Sequence, residues 1–440
     1  MRKKEVLAMV FSGLFALSSL VGCGFTGGSN ATEAVKTESS ASVEGEKADA
    51  QAASGDQVLS VVAEAEIKTL VPWMVSENQT FLVLNQAQEG LFRMDKDNIP
   101  QPALCEKYEV SEDKLNYTFH LRDAKWSNGE PITAKDYIFR ILYFSSPVIV
   151  KIGATDNTAG SDFDGFAEYN EGKTKVFKGV RLLGDYEFSV TIAKEKLPNY
   201  YQDAMAGVSP AYMKGWLPEG YDIKDDGKGA YFSKDLKAED IKKTAEEYRF
   251  NMDAFSGPYM RDKYDETSNT YTLVKNPNYV GNYEGQKPYI DTIIYKFVQP
   301  ETQMDELNTG SVDILVKMGE ANEINSGMDL VDKGTHGYVE YPRNGYGKLV
   351  FVCDRGPTQY VEVRHAIGYL LDRNEFAKTF TGGHGSVVNG NYGLAQWMVE
   401  AREDEIGALN QYSFSLDNAI AELEKAGFTL DKDDKPYKSG

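Results

Sequence analysis

Apolar and polar residues alternate over short runs at several places along the chain, a pattern typical of β-strands that bury one face. The runs that predict strands are residues 58–63, 108–110, 117–121, 188–192, 271–273, 293–298 and 312–315. Polar residues 111–114 separate the second run from the third, so we expect these two strands to form a hairpin.

Apolar residues also recur at helical spacing between these runs. The predicted helices are one with Phe81, Leu84 and Leu91 on one face, one that includes residues 137–142, one at 360–371 and one at 415–426. Strands and helices are mixed along the whole chain, which predicts the α/β fold class. Since 440 residues exceed what one hydrophobic core usually holds, we expect two or three lobes.

Polar residues and glycines mark the ends of several predicted helices. Thr133 and Thr302 each precede an aspartate by three positions, the spacing of a capping box. Asp372 is expected to begin a further helix. Gly310 and Gly427 follow predicted helices and are expected to end them.

The N-terminal residues have a composition of their own. Three basic residues at positions 2–4 precede an apolar stretch at 6–20, which ends in Leu-Val-Gly-Cys at 20–23. This resembles the lipoprotein box of bacteria, in which the cysteine thiol forms a thioether to diacylglycerol and becomes the new N-terminus. Residues 1–22 are therefore predicted to be a signal peptide, and Cys23 the lipidation site that tethers the chain to the cell membrane.

An N-terminal membrane span is the alternative interpretation of this segment. Its apolar stretch is short and contains Ser12, Gly13, Ser18 and Ser19, whereas a spanning helix needs about 20 apolar residues. Residues 27–57 contain no aromatic residue, Leu, Ile or Met. We therefore predict that residues 23–57 are a flexible tether with a mean reach of roughly 30 Å.

The charge of the chain excludes some partners. With 67 acidic and 47 basic residues, the net charge is −20, so nucleic acid is not expected to bind. Cys105 and Cys353 are the cysteines beyond the lipoprotein box. Two isolated cysteines are more often thiols than a disulfide, although the sequence leaves a bond between them open.

Residue patterns for catalysis or metal binding are weak. The four histidines have no metal-ligand spacing, and the sequence contains no GxSxG motif. His120 lies in a predicted strand and His365 in a predicted helix, which favours structural roles for both. We therefore expect neither an enzyme nor a cofactor or metal, and a hydrolase of an unfamiliar kind stays open as an alternative.

Several ordered motifs resemble one family, the extracytoplasmic peptide- and nickel-binding proteins of ABC importers (solute-binding protein family 5). Residues 89–139 contain EGLFRM, YTFHLR and KWSNGEPITAKD. Later in the chain stand FSGPYM at 255–260, KNPNY at 275–279, VRHAIGYLLDRNEF at 363–376 and NAIAELEKAGF at 418–428. Any one of these would be weak evidence, but the series follows the order of the family's motifs.

The resemblance implies a periplasmic-binding-protein-like fold of two lobes with an inserted third domain. Lobe I would comprise residues 58–77 and 179–300, the inserted domain residues 78–178, and lobe II residues 301–440. The motifs are expected to be scaffold, with Trp126 and most of residues 137–142 buried. Members of the family usually continue well beyond the match at 418–428, so we expect lobe II to be incomplete and residues from 301 onward to be less stable.

The resemblance also indicates ligand-binding residues. Ser76, Glu77 and Asn78 would line the cleft at a helix N-terminus, whose free N–H groups can hold a carbonyl or anionic group, although plain helix capping explains them equally well. Further candidates are Asp162, Phe163 and Trp397, the last of which is alternatively a core tryptophan.

The function implied by the family is that of a lipid-anchored, monomeric receptor that captures oligopeptides and delivers them to the permease subunits of an ABC transporter. Other ligands stay open, among them a nickel chelate, an oligosaccharide or a signalling peptide. A surface protein with the same scaffold and no role in transport is an alternative of a different class. With lobe II incomplete, the isolated chain is expected to bind ligand weakly or not at all.

Overall fold

The computed structural model describes residues 56–63, 67, 78–95, 99–197, 207–340, 345–430 and 436–438. They fall into two compact units, one that ends at Val316 and one that begins at Lys317. Within the described residues, no helix combines the length and the apolar character required to cross a membrane.

The first unit contains most of the secondary structure. Its strands are β1 (Val58–Ala63), β2 (Phe92–Met94), β3 (Pro100–Pro102), β4 (Cys105–Val110), β5 (Asn116–Leu121), β6 (Val180–Gly184), β7 (Glu187–Thr191), β8 (Ile223–Asp225), β9 (Ala230–Phe232), β10 (Tyr259–Asp265), β11 (Thr270–Lys275) and β12 (Thr292–Phe297). Its helices are α1 (Asn78–Ala87), α2 (Ala134–Tyr143), α3 (Pro147–Val150), α4 (Phe166–Asn170), α5 (Met213–Trp216), α6 (Ala238–Tyr248) and α7 (Gln303–Thr309).

One four-stranded sheet joins distant parts of the first unit. Its strand order is β1-β12-β11-β10, with β1 parallel to β12 and the other pairs antiparallel. Val58 pairs with Thr292 and Ala63 with Phe297, so the sheet brings together segments more than 230 residues apart in the chain. The strands predicted at 58–63, 271–273 and 293–298 are thereby confirmed.

A second, antiparallel sheet has the order β4-β5-β7-β6. In β5 the side chains of Tyr117, Phe119 and Leu121 are buried while the residues between them are partly exposed, as the alternating pattern predicts. The hairpin between β4 and β5 is confirmed, with Lys114 in the left-handed region at φ 62°. Strands β6 and β7 follow residue 178, where a domain boundary is predicted, and pair with β5 of the same sheet; the division into domains stays a prediction.

Helix α2 shows why the scaffold motifs carry their particular residues. The Asp136 carboxylate accepts a hydrogen bond from the Thr133 N–H at 2.9 Å, and the Thr133 side chain accepts from the Asp136 N–H, as a capping box requires. The apolar residues at 137–139 and 141–142 are fully buried, and Trp126 is 2% exposed. The expected burial of these motif residues is therefore confirmed.

Two expectations near residue 310 are wrong. Thr302 does not cap α7, because it ends a short 3₁₀ helix (Pro300–Thr302) and its hydroxyl donates to the Gln299 carbonyl at 3.1 Å. Residues 312–315 do not form a strand, since Ile314 makes only one isolated parallel bridge, to Val61. Gly310 does end α7, with the left-handed φ of 74° that favours glycine.

The second unit is mainly helical. Its elements are α8 (Ala321–Asp332), α9 (Val361–Leu370), α10 (Arg373–Thr381), α11 (Trp397–Glu400), α12 (Glu403–Gly407), α13 (Leu416–Lys425), β13 (Phe428–Leu430) and β14 (Pro436–Lys438). Asp372 accepts from the Glu375 N–H at 3.0 Å and caps α10, as predicted. Gly427 follows α13 at φ 81°, also as predicted. The described fold thus confirms the α/β class.

The two cysteines of the described chain carry free thiols. Cys105 is buried at the start of β4, where burial raises the pKa of its thiol to about 12. Cys353 is exposed. The thiol interpretation is therefore confirmed, and the disulfide that the sequence left open is not formed.

Candidate ligand-binding site

Helix α1 begins at the place where the sequence predicts the ligand cleft. Asn78 is its first residue, and the structure describes the Asn78 backbone but not its side chain. Ser76 and Glu77 lie outside the described residues. Their assignment as ligand-binding residues stays a prediction.

The inner face of α1 packs tightly. Val83 and Ala87 have no exposed surface and Leu84 is 4% exposed. The Tyr295 hydroxyl, on β12, donates to the Leu82 carbonyl at 3.2 Å. These contacts fix α1 against the sheet that contains β1 and β12.

A buried carboxylate holds the chain just after α1. Glu89 is 2% exposed, and its two carboxylate oxygens accept from the Arg93 Nε at 3.0 and 3.2 Å. The Tyr279 hydroxyl donates to the same carboxylate at 2.7 Å. Burial and the adjacent Glu89 charge both raise the pKa of Tyr279, so its hydroxyl stays a donor.

The FSGPYM motif contacts the backbone of the same segment. The Glu89 N–H donates to the Ser256 hydroxyl at 2.9 Å, and this hydroxyl donates to the Glu89 carbonyl at 3.0 Å. The Gly257 N–H donates to the Ala87 carbonyl at 3.0 Å. A Cβ at Gly257 would lie 2.6 Å from the Ala87 carbonyl carbon, so only glycine allows the two backbones to approach this closely.

The KNPNY and KWSNGE motifs complete this network. The Asn276 side chain donates to the Gly257 carbonyl at 2.9 Å, and the Asn278 side chain donates to the Ser127 carbonyl at 3.0 Å. The Phe255 N–H donates to the Ser127 hydroxyl at 3.1 Å. Four motifs that are separate in the sequence therefore meet around the C-terminal end of α1, and we name this set of contacts the Glu89 network.

Asp162 and Phe163 are consecutive residues in the segment between α3 and α4. The Asp162 carboxylate forms an ion pair with the Lys196 Nζ at 2.9 Å, and each side chain is about one third exposed. Phe163 is 2% exposed and belongs to the hydrophobic core, so a ligand cannot reach its ring in this conformation. Asp162 has the exposure that a ligand contact needs, and both assignments stay predictions.

Trp397 is the first residue of α11, and its side chain lies outside the described parts of the structure. The second unit also contains a polar pocket near α10, with a lining that includes Asn389, Tyr412 and Phe414. Arg373 lies in this pocket and donates to the carbonyls of Val388 (3.2 Å) and Gln411. Arg373, the second of the two arginines in the VRHAIGYLLDRNEF motif, thus ties two loops to α10.

Two of the described histidines lie beside carboxylates. Among them no three His, Cys, Asp or Glu side chains are grouped so that they could hold a metal ion. His120 lies between Glu109 and Glu187 at 3.8 and 3.9 Å, and His365 lies 3.3 Å from Glu422. Each of these two histidines therefore has a structural carboxylate neighbour.

Asp136 is the carboxyl group whose environment is most unusual for an acid. Its side chain is buried, and desolvation raises its pKa to about 6 although Thr133 hydrogen bonds oppose the shift. A raised pKa means that the folded state binds the proton more tightly than the unfolded chain. The stabilisation is complete below the ordinary aspartate pKa and is lost as the pH rises through about 6.

We therefore expect Asp136→Asn to remove this pH dependence. Relative to the variant, the wild-type free energy of unfolding should fall by on the order of 3 kcal/mol between pH 4 and pH 7. Urea unfolding at several pH values measures the difference, and Asp123→Asn, at an exposed aspartate, is the control. Parallel profiles for wild type and Asp136→Asn would contradict the assignment.

Sequence reasoning missed Glu89 as the centre of the network. The residue stands in the EGLFRM motif, but its partners Ser256 and Tyr279 are 167 and 190 positions away. One signal was available: an acidic residue at the end of an apolar helix face, four residues before Arg93. That spacing predicts an ion pair but not its burial.

Comparison with known proteins identifies the family. The family model described as bacterial extracellular solute-binding proteins, family 5 Middle, matches residues 100–438. The dipeptide-binding protein DppE of Bacillus subtilis is 34% identical over 161 residues, which cover 36% of this chain and 28% of DppE. A dipeptide-binding protein of Lactococcus lactis subsp. cremoris is 24% identical over 325 residues, 71% of this chain and 54% of that protein. The chain thus spans about half the length, or less, of these relatives.

Solved structures share the fold. Lactococcal OppA, complexed with an endogenous peptide in the closed conformation, matches 88% of this chain and 70% of its own with a TM-score of 0.61 and 20% identity. NikZ from Campylobacter jejuni, in complex with Ni(L-His), matches 88% of this chain and 66% of its own with a TM-score of 0.59 and 20% identity. With the family model matched from residue 100 to 438, the chain belongs to family 5 of the bacterial extracellular solute-binding proteins.

Proposed function

We propose that this protein is a lipid-anchored receptor that captures oligopeptides outside the cytoplasm and delivers them to an ABC importer. The observation that carries the proposal is the family match over residues 100–438, together with relatives that are named dipeptide- and oligopeptide-binding proteins. The receptor performs no chemistry on its ligand. Cys23 carries the acyl chains, and residues 23–57 tether the folded part to the membrane.

The arrangement of α1 supports a peptide ligand. Helix N-termini offer N–H groups to carbonyl or carboxylate oxygens, and a ligand held through its backbone can vary in side-chain sequence. The Glu89 network fixes the opposite end of α1, so the N-terminus is held in a constant position. In this proposal Ser76, Glu77 and Asn78 contact the peptide, and the partly exposed carboxylate of Asp162 contributes from a second segment.

A nickel chelate is the second candidate ligand, because NikZ, a structural neighbour, was solved with Ni(L-His). A chelate brings most of its own ligands and needs few from the protein. The two candidates differ in what they demand: a peptide requires backbone hydrogen bonding along an extended chain, whereas the chelate requires a compact polar pocket. The paucity of histidine, four in 440 residues, favours the peptide.

A thermal-shift screen tests the proposal. Pools of di- to octapeptides, Ni(L-His) and oligosaccharides are added at millimolar concentration, because binding is expected to be weak. At 100 times its dissociation constant a ligand stabilises the folded state by about 2.7 kcal/mol, which gives a readable shift. Stabilisation by peptide pools alone is the expected result, and stabilisation by Ni(L-His) alone would replace the peptide with the chelate.

A further inference from the structure

The segment that contains Asp162 is held at a fixed place in the first unit. Phe163, the next residue, is 2% exposed and packs in the hydrophobic core. The Ala193 N–H donates to the Asp162 carbonyl at 2.8 Å. The Asp164 N–H donates to the Thr191 carbonyl, also at 2.8 Å. The backbone that carries the Asp162 side chain is therefore constrained before any ligand binds.

The Asp162 carboxylate has one partner among the described residues, the Lys196 Nζ at 2.9 Å. The Asp162 side chain is 36% exposed and the Lys196 side chain 37%, so water reaches both groups. Asp225 is different, since its carboxylate is 9% exposed and accepts from Arg181 and from the Leu182 N–H. A carboxylate has about four acceptor positions, and a single ammonium leaves most of those of Asp162 open to another donor.

Lys196 neutralises Asp162 without holding it firmly. The lysine ammonium ends a flexible four-carbon chain, and ion pairs exposed to this extent contribute little to stability. Asp164 forms a separate ion pair with the Lys178 Nζ at 2.7 Å. A second ammonium can therefore replace that of Lys196 with no change in the net charge around the Asp162 carboxylate. A neutral group at the same place gains no charge-assisted hydrogen bond, so the carboxylate distinguishes cationic from neutral ligand groups.

We propose that Asp162 binds the ammonium or guanidinium group of a basic side chain in the captured peptide, and that Lys196 is the internal counter-ion which this group displaces. The inference rests on the peptide-receptor function proposed above, which assigns Asp162 to the ligand. Peptides that contain lysine or arginine are then the preferred class. Lys196 lowers the affinity for all of them, because each must replace an ammonium that is already in place.

Two matched peptide pools test the inference. Thermal-shift titrations of the full chain in mild detergent compare a tripeptide pool that contains one lysine with an otherwise identical pool in which norleucine, the same chain without the ammonium, replaces it. Wild type should bind the lysine pool about threefold more tightly. Asp162→Asn should remove this preference, whereas Lys196→Met should increase it by up to about fivefold. Lys175→Met, which breaks an exposed ion pair with Asp235, should leave it unchanged.

The opposite effects expected of the two variants separate ligand binding from structural support. An ion pair that only supported the fold would make Asp162→Asn and Lys196→Met lose affinity together, and this outcome would overturn the inference. Equal binding of the two pools by wild type and by Lys196→Met would also overturn it and would leave the peptide-receptor function standing. If wild type bound neither pool, the peptide-receptor function would fall, and the inference with it.

Discussion

Replacing Cys23 with alanine is expected to abolish lipid attachment completely. In the proposed anchor the thioether to diacylglycerol forms on the Cys23 thiol, and alanine offers no nucleophile in its place. The precursor should then stay uncleaved or leave the membrane fraction. Metabolic labelling with a fatty acid, followed by fractionation, measures both consequences.

Cys353→Ala is the matched control for this variant, because it removes an exposed thiol that lies 330 positions after Cys23 in the sequence. It should keep full labelling and membrane retention. If the Cys23→Ala protein incorporated fatty acid and stayed with the membrane as the wild type does, Cys23 would not be the lipidation site.

Glu89→Ala is expected to have the largest effect on stability. The change removes the acceptor of Arg93 and Tyr279 and leaves both donors without it in a site where Glu89 itself is 2% exposed. Breaking a buried ion pair costs about 3–5 kcal/mol, and we expect about 3 kcal/mol because Arg93 is one third exposed and can regain water. Urea unfolding measures the loss.

Two further variants show whether the loss comes from the Glu89 network. Glu112→Ala removes an exposed glutamate in the β4–β5 turn and should change the free energy of unfolding by less than about 0.5 kcal/mol. Glu89→Gln keeps the side-chain volume and an acceptor for Tyr279, so it should fall between the two. A Glu89→Ala protein as stable as Glu112→Ala would refute the structural role given to the network.

Local signals in the sequence predicted much of the fold. The Thr133–Asp136 capping box, the β4–β5 hairpin and the end of α7 at Gly310 each depend on residues within a few positions of one another. Thr302 has the same spacing to an aspartate and still does not cap, since Pro300 begins a 3₁₀ turn that carries Thr302 into a helical conformation. The three-residue spacing between a threonine and an aspartate does not show whether the threonine itself already has a helical backbone conformation.

Long-range contacts explain what the sequence could not predict. The pairing of β1 with β12 and the bonds from Glu89 to Ser256 and Tyr279 join residues that are far apart in the chain. No periodicity relates such positions. The site residues were predicted from resemblance, and they stay predictions; Phe163 is one of them, and its ring is packed in the core.

The contacts of the Glu89 network explain what four of the family motifs do in the fold. EGLFRM, KWSNGE, FSGPYM and KNPNY meet at the C-terminal end of α1. Three of the six residues predicted to bind ligand, Ser76, Glu77 and Asn78, stand in the sequence at or just before the first residue of this helix. The motifs therefore position the helix, and none of them includes the N-terminal residues for which ligand contacts are predicted. This arrangement accords with a receptor that accepts varied peptides.

Hydrogen exchange across α1, with and without ligand, tests the peptide-receptor account most directly. Backbone amides at the start of α1 should exchange more slowly when a millimolar oligopeptide pool is present, and those in α6, remote in sequence from the predicted site residues, should be unaffected. Ni(L-His) at the same concentration should leave α1 unchanged. Unaltered exchange at α1 with every peptide pool, or protection by Ni(L-His) alone, would contradict the claim that this protein is a peptide receptor.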